Sequence, residues 1–160
     1  MSFNYKGDSI TDTESGVQIP SGVGEQKFSD GSSKYIGTFS NGKYHGKGIR
    51  YYASGAICYE GNWQSGQFHG KGILNYVNGA KQFEGEWQHG KFTGYGKEYS
   101  LNSCIKYSGN WVDGKRQGKG ASHYENGSIK YEGNWSQDHI KGKGIAYYSS
   151  GIKEYEGEFA

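Results

Sequence analysis

The chain has a single proline, two cysteines and few aliphatic residues; its apolar residues amount to only 32%. Two separated cysteines do not make the disulfide framework that staples small secreted domains. Scarce Leu, Ile and Val exclude a thick aliphatic core. No apolar run approaches the ~18 residues that a membrane-spanning helix needs. Neither sign of charge is in excess, at a formal net +2, so bulk electrostatics gives no reason to expect nucleic acid. The opening stretch MSFNYKGDSITDTESG has no basic segment leading into an apolar one, as a secretory signal would. Ser at the second position removes the myristoylation pattern. These absences together predict a reducing, cytoplasmic setting.

What is plentiful is glycine, with 29 residues, and tyrosine, with 15; aromatics reach 16%. Such a composition suits thin β-structure with tight turns. A biased, disordered chain would share the composition, but it would need no register. Register is what the aromatics have.

Tyr59-Glu60-Gly61-Asn62-Trp63 recurs as Phe83-Glu84-Gly85-Glu86-Trp87, Tyr107-Ser108-Gly109-Asn110-Trp111 and Tyr131-Glu132-Gly133-Asn134-Trp135. Tyr35-Ile36-Gly37-Thr38-Phe39 and Tyr155-Glu156-Gly157-Glu158-Phe159 extend the series, and every step is 24 residues. A second signature, Gly-x-Gly at 46/48, 70/72, 94/96, 118/120 and 142/144, keeps the same step. Internal repetition at this spacing signals an array of stacked units. The frame extends backwards through Gly22-Val23-Gly24, Phe28 and Gly31, so residues 22–31 read as the second half of an earlier unit. Phe3-Asn4-Tyr5-Lys6-Gly7 reads as its first half. The N-terminal segment 1–21 is therefore a degenerate strand over 3–9 with a mobile loop across 8–21, and the array runs from 22 to 160.

Each unit reads as two strands. Alternation sets Ile57, Tyr59, Gly61 and Trp63 on one face and Cys58, Glu60 and Asn62 on the other. A second strand follows Gly-x-Gly, as in Ile73-Leu74-Asn75-Tyr76. Asp30-Gly31, Ser54-Gly55, Asn78-Gly79, Asn126-Gly127 and Ser150-Gly151 then suit two-residue hairpins with positive φ at both central residues. Asn102-Ser103 lacks the glycine, which predicts a different or more mobile turn. Short turns make neighbours in sequence neighbours in space. The expected fold is all-β: an open, elongated, single-layer antiparallel meander, twisted or curved, with one aromatic face. Gly61 leaves bare backbone between Tyr59 and Trp63, over which rings lie flat, each stabilising by about 1.5–3 kcal/mol. Stability is then shared between nearest neighbours.

The block Tyr59-x-Gly61-x-Trp63-x-x-Gly66-x-x-His69-Gly70-x-Gly72, followed by Asn78-Gly79, resembles the MORN repeat (membrane occupation and recognition nexus). The likeness covers residues 22–160, or 3–160 with the degenerate unit. A unit one residue shorter is usual for the family. Asp138 stands where Gly42, Gly66, Gly90 and Gly114 stand, and Thr93, Gln117 and Lys141 stand where His45 and His69 do. These departures bear on a shared loop ligand, not on the fold. The resemblance implies an elongated β-sheet whose groove binds partner peptides or helices, self-association of arrays, and a place in cytoskeletal or ciliary assemblies. Attachment to membranes is the property its name reflects.

No convergent catalytic set stands out, so no enzymatic activity, cofactor or metal is expected. His45 and His69 share one repeat position, and no Cys-x-x-Cys spacing is present. Cys58 and Cys104 lie four strand spacings apart, roughly 19 Å, which predicts two free thiols. The Gly-x-Gly pairs are followed by strands rather than helices, unlike a dinucleotide loop.

Two surfaces are candidates for binding. The aromatic face, a groove for a helix or extended peptide of a partner protein, comprises Tyr59, Trp63, Phe83, Trp87, Tyr107, Trp111, Tyr131 and Trp135, with Tyr52, Tyr76, Tyr124 and Tyr148 from the second strands. A basic loop rim comprises Lys43, Lys47, Lys71, Lys91, Lys115, Arg116, Lys119, Lys141 and Lys143, suited to anionic phospholipid headgroups. The acids Glu60, Glu84, Glu86, Glu132, Glu156 and Glu158 fall on the polar face. Three roles follow: a scaffold or adaptor holding a protein partner, a peripheral membrane tether, or the targeting segment of a larger enzyme such as a lipid kinase. Open edge strands also allow an end-to-end homodimer.

Overall fold

The structure, a computed structural model, describes residues 4–160. Thirteen strands follow one another: β1 (Tyr5–Thr11), β2 (Gln18–Lys27), β3 (Ser33–Ser40), β4 (Lys43–Tyr51), β5 (Ile57–Gln64), β6 (Gln67–Asn75) and β7 (Lys81–Gln88), then β8 (Lys91–Tyr99), β9 (Ile105–Val112), β10 (Lys115–His123), β11 (Ile129–Ser136), β12 (His139–Tyr147) and β13 (Lys153–Phe159). They form one antiparallel sheet in sequence order, open at β1 and β13. The sheet is one layer thick and about 58 Å across, from twelve spacings of ~4.8 Å.

One row organises this sheet. Gly7 pairs with Gly24, and the pairing continues through Gly37, Gly48, Gly61, Gly72, Gly85, Gly96, Gly109, Gly120, Gly133, Gly144 and Gly157. Every strand thus contributes one glycine to a line that crosses the whole array. The second glycine of each Gly-x-Gly belongs to this line. The first does something else: Gly70 has φ +57 and stands where the β5–β6 register slips between Gly61 and Asn62. A bulge there needs the left-handed conformation that glycine adopts without a Cβ clash.

Two turn types alternate along the two long edges. Inside each unit, Ser65-Gly66 joins β5 to β6 with φ +51 and +83, the primed two-residue hairpin. Asn41-Gly42, His89-Gly90, Asp113-Gly114 and Gln137-Asp138 repeat it. Between units the turn is longer than the dipeptide reading gives. Gly55 N–H donates to Tyr52 O and Tyr52 N–H to Ala56 O, both at 2.9 Å, which closes a three-residue loop with only its last residue at positive φ. The expected two-residue hairpins at Ser54-Gly55, Asn78-Gly79 and their equivalents are corrected accordingly. Asn102-Ser103 is not a different turn either. Ser103 takes φ +62, and the bonds Ser103 N–H to Ser100 O and Ser100 N–H to Cys104 O, both 2.9 Å, reproduce the other units.

Residues 8–21, expected as a loop, are mostly paired strand. β1 runs to Thr11 and β2 starts at Gln18, with Ile10 opposite Ile19. Asp12 closes the connection: its carboxylate accepts from Ser15 N–H at 2.7 Å and Glu14 N–H at 3.1 Å. Its local hydrogen bonding supplied the order that composition did not suggest. Phe3, placed by sequence in the first strand, lies outside the described residues.

Candidate functional site

The aromatic face is the interior of the sheet. Tyr35, Tyr59, Phe83 and Tyr107 are fully buried, and the four indoles keep only 3–6% of their surface. Each leading ring lies back over the glycine line, so a Cβ on Gly72 would clash with the hydroxyl end of the Tyr59 ring. A second ring covers it: Tyr44 stacks on Tyr35 at 3.8 Å, Phe68 on Tyr59 at 3.9 Å and Phe92 on Phe83 at 3.5 Å. Indoles stand edge-on between units, Trp63 to Tyr35 at 5.4 Å and Trp87 to Tyr59 at 5.5 Å. Each also donates backwards, as Trp63 Nε1 does to Gly48 O at 3.1 Å and Trp87 Nε1 to Gly72 O at 3.3 Å. Burial pushes the Tyr59 hydroxyl far above its ordinary range, and it donates to Asn62 O at 3.1 Å. Such a phenol is a structural donor, not a titrating group near neutrality.

Sequence reasoning took Tyr59, Trp63, Phe83, Trp87, Tyr107, Trp111, Tyr131 and Trp135 for a groove partly open to a partner. The stacked second rings explain why they are closed instead. Tyr44, Phe68 and Phe92 recur every 24 residues, and that recurrence is the sequence signal for the covering rings. Tyr52, Tyr76, Tyr124 and Tyr148 stand at the inter-unit loops. Three of them link successive units, Tyr52 OH to Asn75 O at 2.7 Å, Tyr76 OH to Tyr99 O at 3.0 Å and Tyr124 OH to Tyr147 O at 2.8 Å, while Tyr148 is half exposed.

In the fourth unit Arg116 takes the covering position. Its guanidinium lies 4.9 Å from the Tyr107 ring centre and 5.3 Å from that of Trp135. It donates to Glu98 at 2.8 Å, and Lys106 reaches the other Glu98 oxygen at 2.6 Å. Burial acts to raise the Glu98 carboxyl, but the Lys106 and Arg116 hydrogen bonds outweigh it and hold the group below its ordinary range. Arg116 is therefore packing, not rim.

The remaining rim residues divide. Lys43, Lys91 and Lys115 open their strands at the primed hairpins, on the outer edge; Lys141 is also exposed, at the first-unit histidine position. Lys47, Lys71, Lys119 and Lys143 lie between the two glycines of Gly-x-Gly, so they point away from the rings, into the open face. Strand alternation carried one residue further would have found them. Opposite them, across the glycine line, run Glu60, Glu84, Glu132 and Glu156, interleaved with Ile49, Ile73, Lys97, Ser108, Ala121 and Ile145.

This face holds the groove. Three adjoining hollows of about 510, 500 and 940 Å³ span β3 to β13; the first two share Glu60 and Lys71, and Tyr95 joins the second to the third. Glycine floors it throughout. Tyr95 occupies the Gly-x-Gly position that is lysine in the other four full units and is 58% exposed. Among the described residues no group of three or more His, Cys, Asp or Glu is placed to hold a metal ion. Cys58 and Cys104 are free thiols.

A glycine-crossed, one-layer meander with units stacked in register is a β-repeat binding module rather than a closed-pocket domain. The profile of the MORN repeat matches residues 35–57, 59–81, 83–104, 107–129 and 131–153, and the chain belongs to the MORN repeat family, whose repeats are binding modules for proteins and membranes. No curated protein matches the chain closely.

Proposed function

We propose that the protein is a non-catalytic scaffold that holds a segment of a partner protein along the glycine-floored groove. The observation that carries this reading is the division of labour between the two faces. The rings are consumed by their own packing, whereas the opposite face offers a continuous trough with isoleucines, a free tyrosine and charges of both signs. Interfaces favour such a mixture of apolar contact and specific polar partners. The cytoskeletal or ciliary setting rests on family resemblance, and the cytoplasmic location on the two separated cysteines.

Placement of the lysines bears on the membrane alternative. Lys47, Lys71, Lys119 and Lys143 share their face with Glu60, Glu84, Glu132 and Glu156, so this face has no net positive field for anionic lipid. Only the edge lysines remain for such a role. The test is a photoreactive phenylalanine analogue introduced at Tyr95 and, separately, at Phe68 on the ring side. Protein adducts at Tyr95 that are absent at Phe68 support the reading. Adducts confined to Phe68, or strong sedimentation with phosphatidylserine vesicles that vanishes in high salt, argue for another surface.

A further inference from the structure

The two charged rows have a spacing that selects a partner conformation. Glu60, Glu84, Glu132 and Glu156 recur at one residue position per unit, as do Lys47, Lys71, Lys119 and Lys143, with Glu86 beside Lys71 and Glu158 beside Lys143 in the second row. One unit is two strands, so like charges repeat every ~9.6 Å along the groove, and the two rows stand ~7 Å apart across the glycine line. An α-helix, ~10–12 Å wide, is broader than the ~7 Å between the rows, and it climbs one unit in about 6.4 residues, near 1.8 turns. Successive units would then meet different helix faces. A β-strand covers one unit in about three residues, an odd number, so its faces would alternate between units. A polyproline helix rises ~9.3 Å in one full turn of three residues. It alone presents the same face to every unit.

We propose that the groove binds an extended segment in the polyproline conformation, with a basic residue towards the glutamate row and an acidic one towards the lysine row in the triplets that flank its centre. This rests on the scaffold reading and names the chemistry of its partner. The third residue of each triplet faces the glycine floor, where a small or proline residue fits. The carboxylates have capacity for such a partner. Glu84 accepts from Lys81 at 2.8 Å and Tyr99 at 3.1 Å through one oxygen only, and Glu156 accepts from Lys153 at 2.6 Å through one. Glu60 is exposed, as are all four lysines.

Both rows break at the same place. Ser108 interrupts the glutamates and Tyr95 the lysines, and their strands β8 and β9 are adjacent, with Lys97 opposite Ser108 and Tyr95 opposite Asn110. The groove thus has an aromatic centre at Tyr95, where Lys97 lies between Glu84 and Ser108, flanked by arms that carry both rows. Aromatic rings in troughs are the usual contact for proline in this conformation. The partner therefore carries an uncharged, proline-bearing triplet between charged ones.

The test uses the full chain and three fluorescent peptides of about 15 residues, long enough to cover ~46 Å. One is a Lys-Pro-Glu repeat whose central triplet is Ala-Pro-Ala, one has the same composition with its charges spaced every four residues, and one is an alanine-based helix with equal charges. Binding is read by fluorescence anisotropy. The repeat peptide is expected to bind about tenfold more tightly than the respaced one. Combining Glu60→Gln, Glu84→Gln, Glu132→Gln and Glu156→Gln is expected to remove about tenfold of that affinity, and Tyr95→Ser about fivefold, with circular dichroism unchanged. Equal binding of the first two peptides overturns the inference, as does binding of none. Preference for the helical peptide that Tyr95→Ser abolishes also overturns it, but leaves the scaffold reading standing.

Discussion

The ring of Tyr59, on β5, packs with its hydroxyl end against Gly72 on β6, where a Cβ on Gly72 would clash with it. Gly72 is thus required for space, not for backbone conformation. Gly79 is the converse: it has φ +84 and nothing within 4 Å of a built Cβ. Gly72→Ala is expected to cost about 3 kcal/mol by overpacking and ring displacement. Gly79→Ala is expected to cost about 1 kcal/mol, from left-handed backbone strain. Urea titration of both variants checks the ranking, and equal costs would contradict it.

Ser103 supplies the reverse substitution. It holds φ +62 where Gly31, Gly55, Gly79, Gly127 and Gly151 lie between +84 and +86. Ser103→Gly should stabilise the chain by about 1 kcal/mol, measured as a raised urea midpoint with an unchanged slope.

Arg116 and Glu98 are both only about one-fifth exposed and are expected to be coupled. A double-mutant cycle with Arg116→Met and Glu98→Gln should return a coupling of about 1–2 kcal/mol. Arg116→Met alone should be the worst of the three variants, because the Glu98 charge then keeps only Lys106. A coupling near zero would mean that the guanidinium is held by the rings alone.

Two groups set separate acid windows. Burial lowers the His123 imidazole below its ordinary 6.5, so folding favours the neutral form. Stability is therefore full above that value and declines as pH falls through the folded pKa. Glu98, also lowered, contributes stability above its ordinary 4.5 that is lost at still lower pH. His123→Gln should flatten the first decline and Glu98→Gln the second, read from thermal midpoints across the pH range.

The repeat length, the strand parity and the glycine positions were legible because they recur in sequence with no help from distant contacts. Alternation on Tyr59, Gly61 and Trp63 was enough to place the rings on one face. Whether that face is open or closed was not legible from alternation alone. It depends on Phe68 swinging onto Tyr59, and on Arg116 doing the same to Tyr107 as a charged residue among rings. The groove lysines were misplaced for a related reason. By sequence Gly-x-Gly reads as a loop, whereas its first glycine makes a bulge inside a continuous strand. Order around Asp12 was equally hidden, being made by local hydrogen bonds rather than by hydrophobic pattern.

Acrylamide quenching of the intrinsic fluorescence tests the central division of the two faces most directly. Trp63, Trp87, Trp111 and Trp135 are the only indoles in the chain, and each lies on the ring side. Blue-shifted emission with weak quenching, unaltered when a ligand fills the groove, is the predicted result. Quenching as efficient as that of free tryptophan, or strong protection gained only on ligand binding, would show that the rings are the exposed face and would contradict the account.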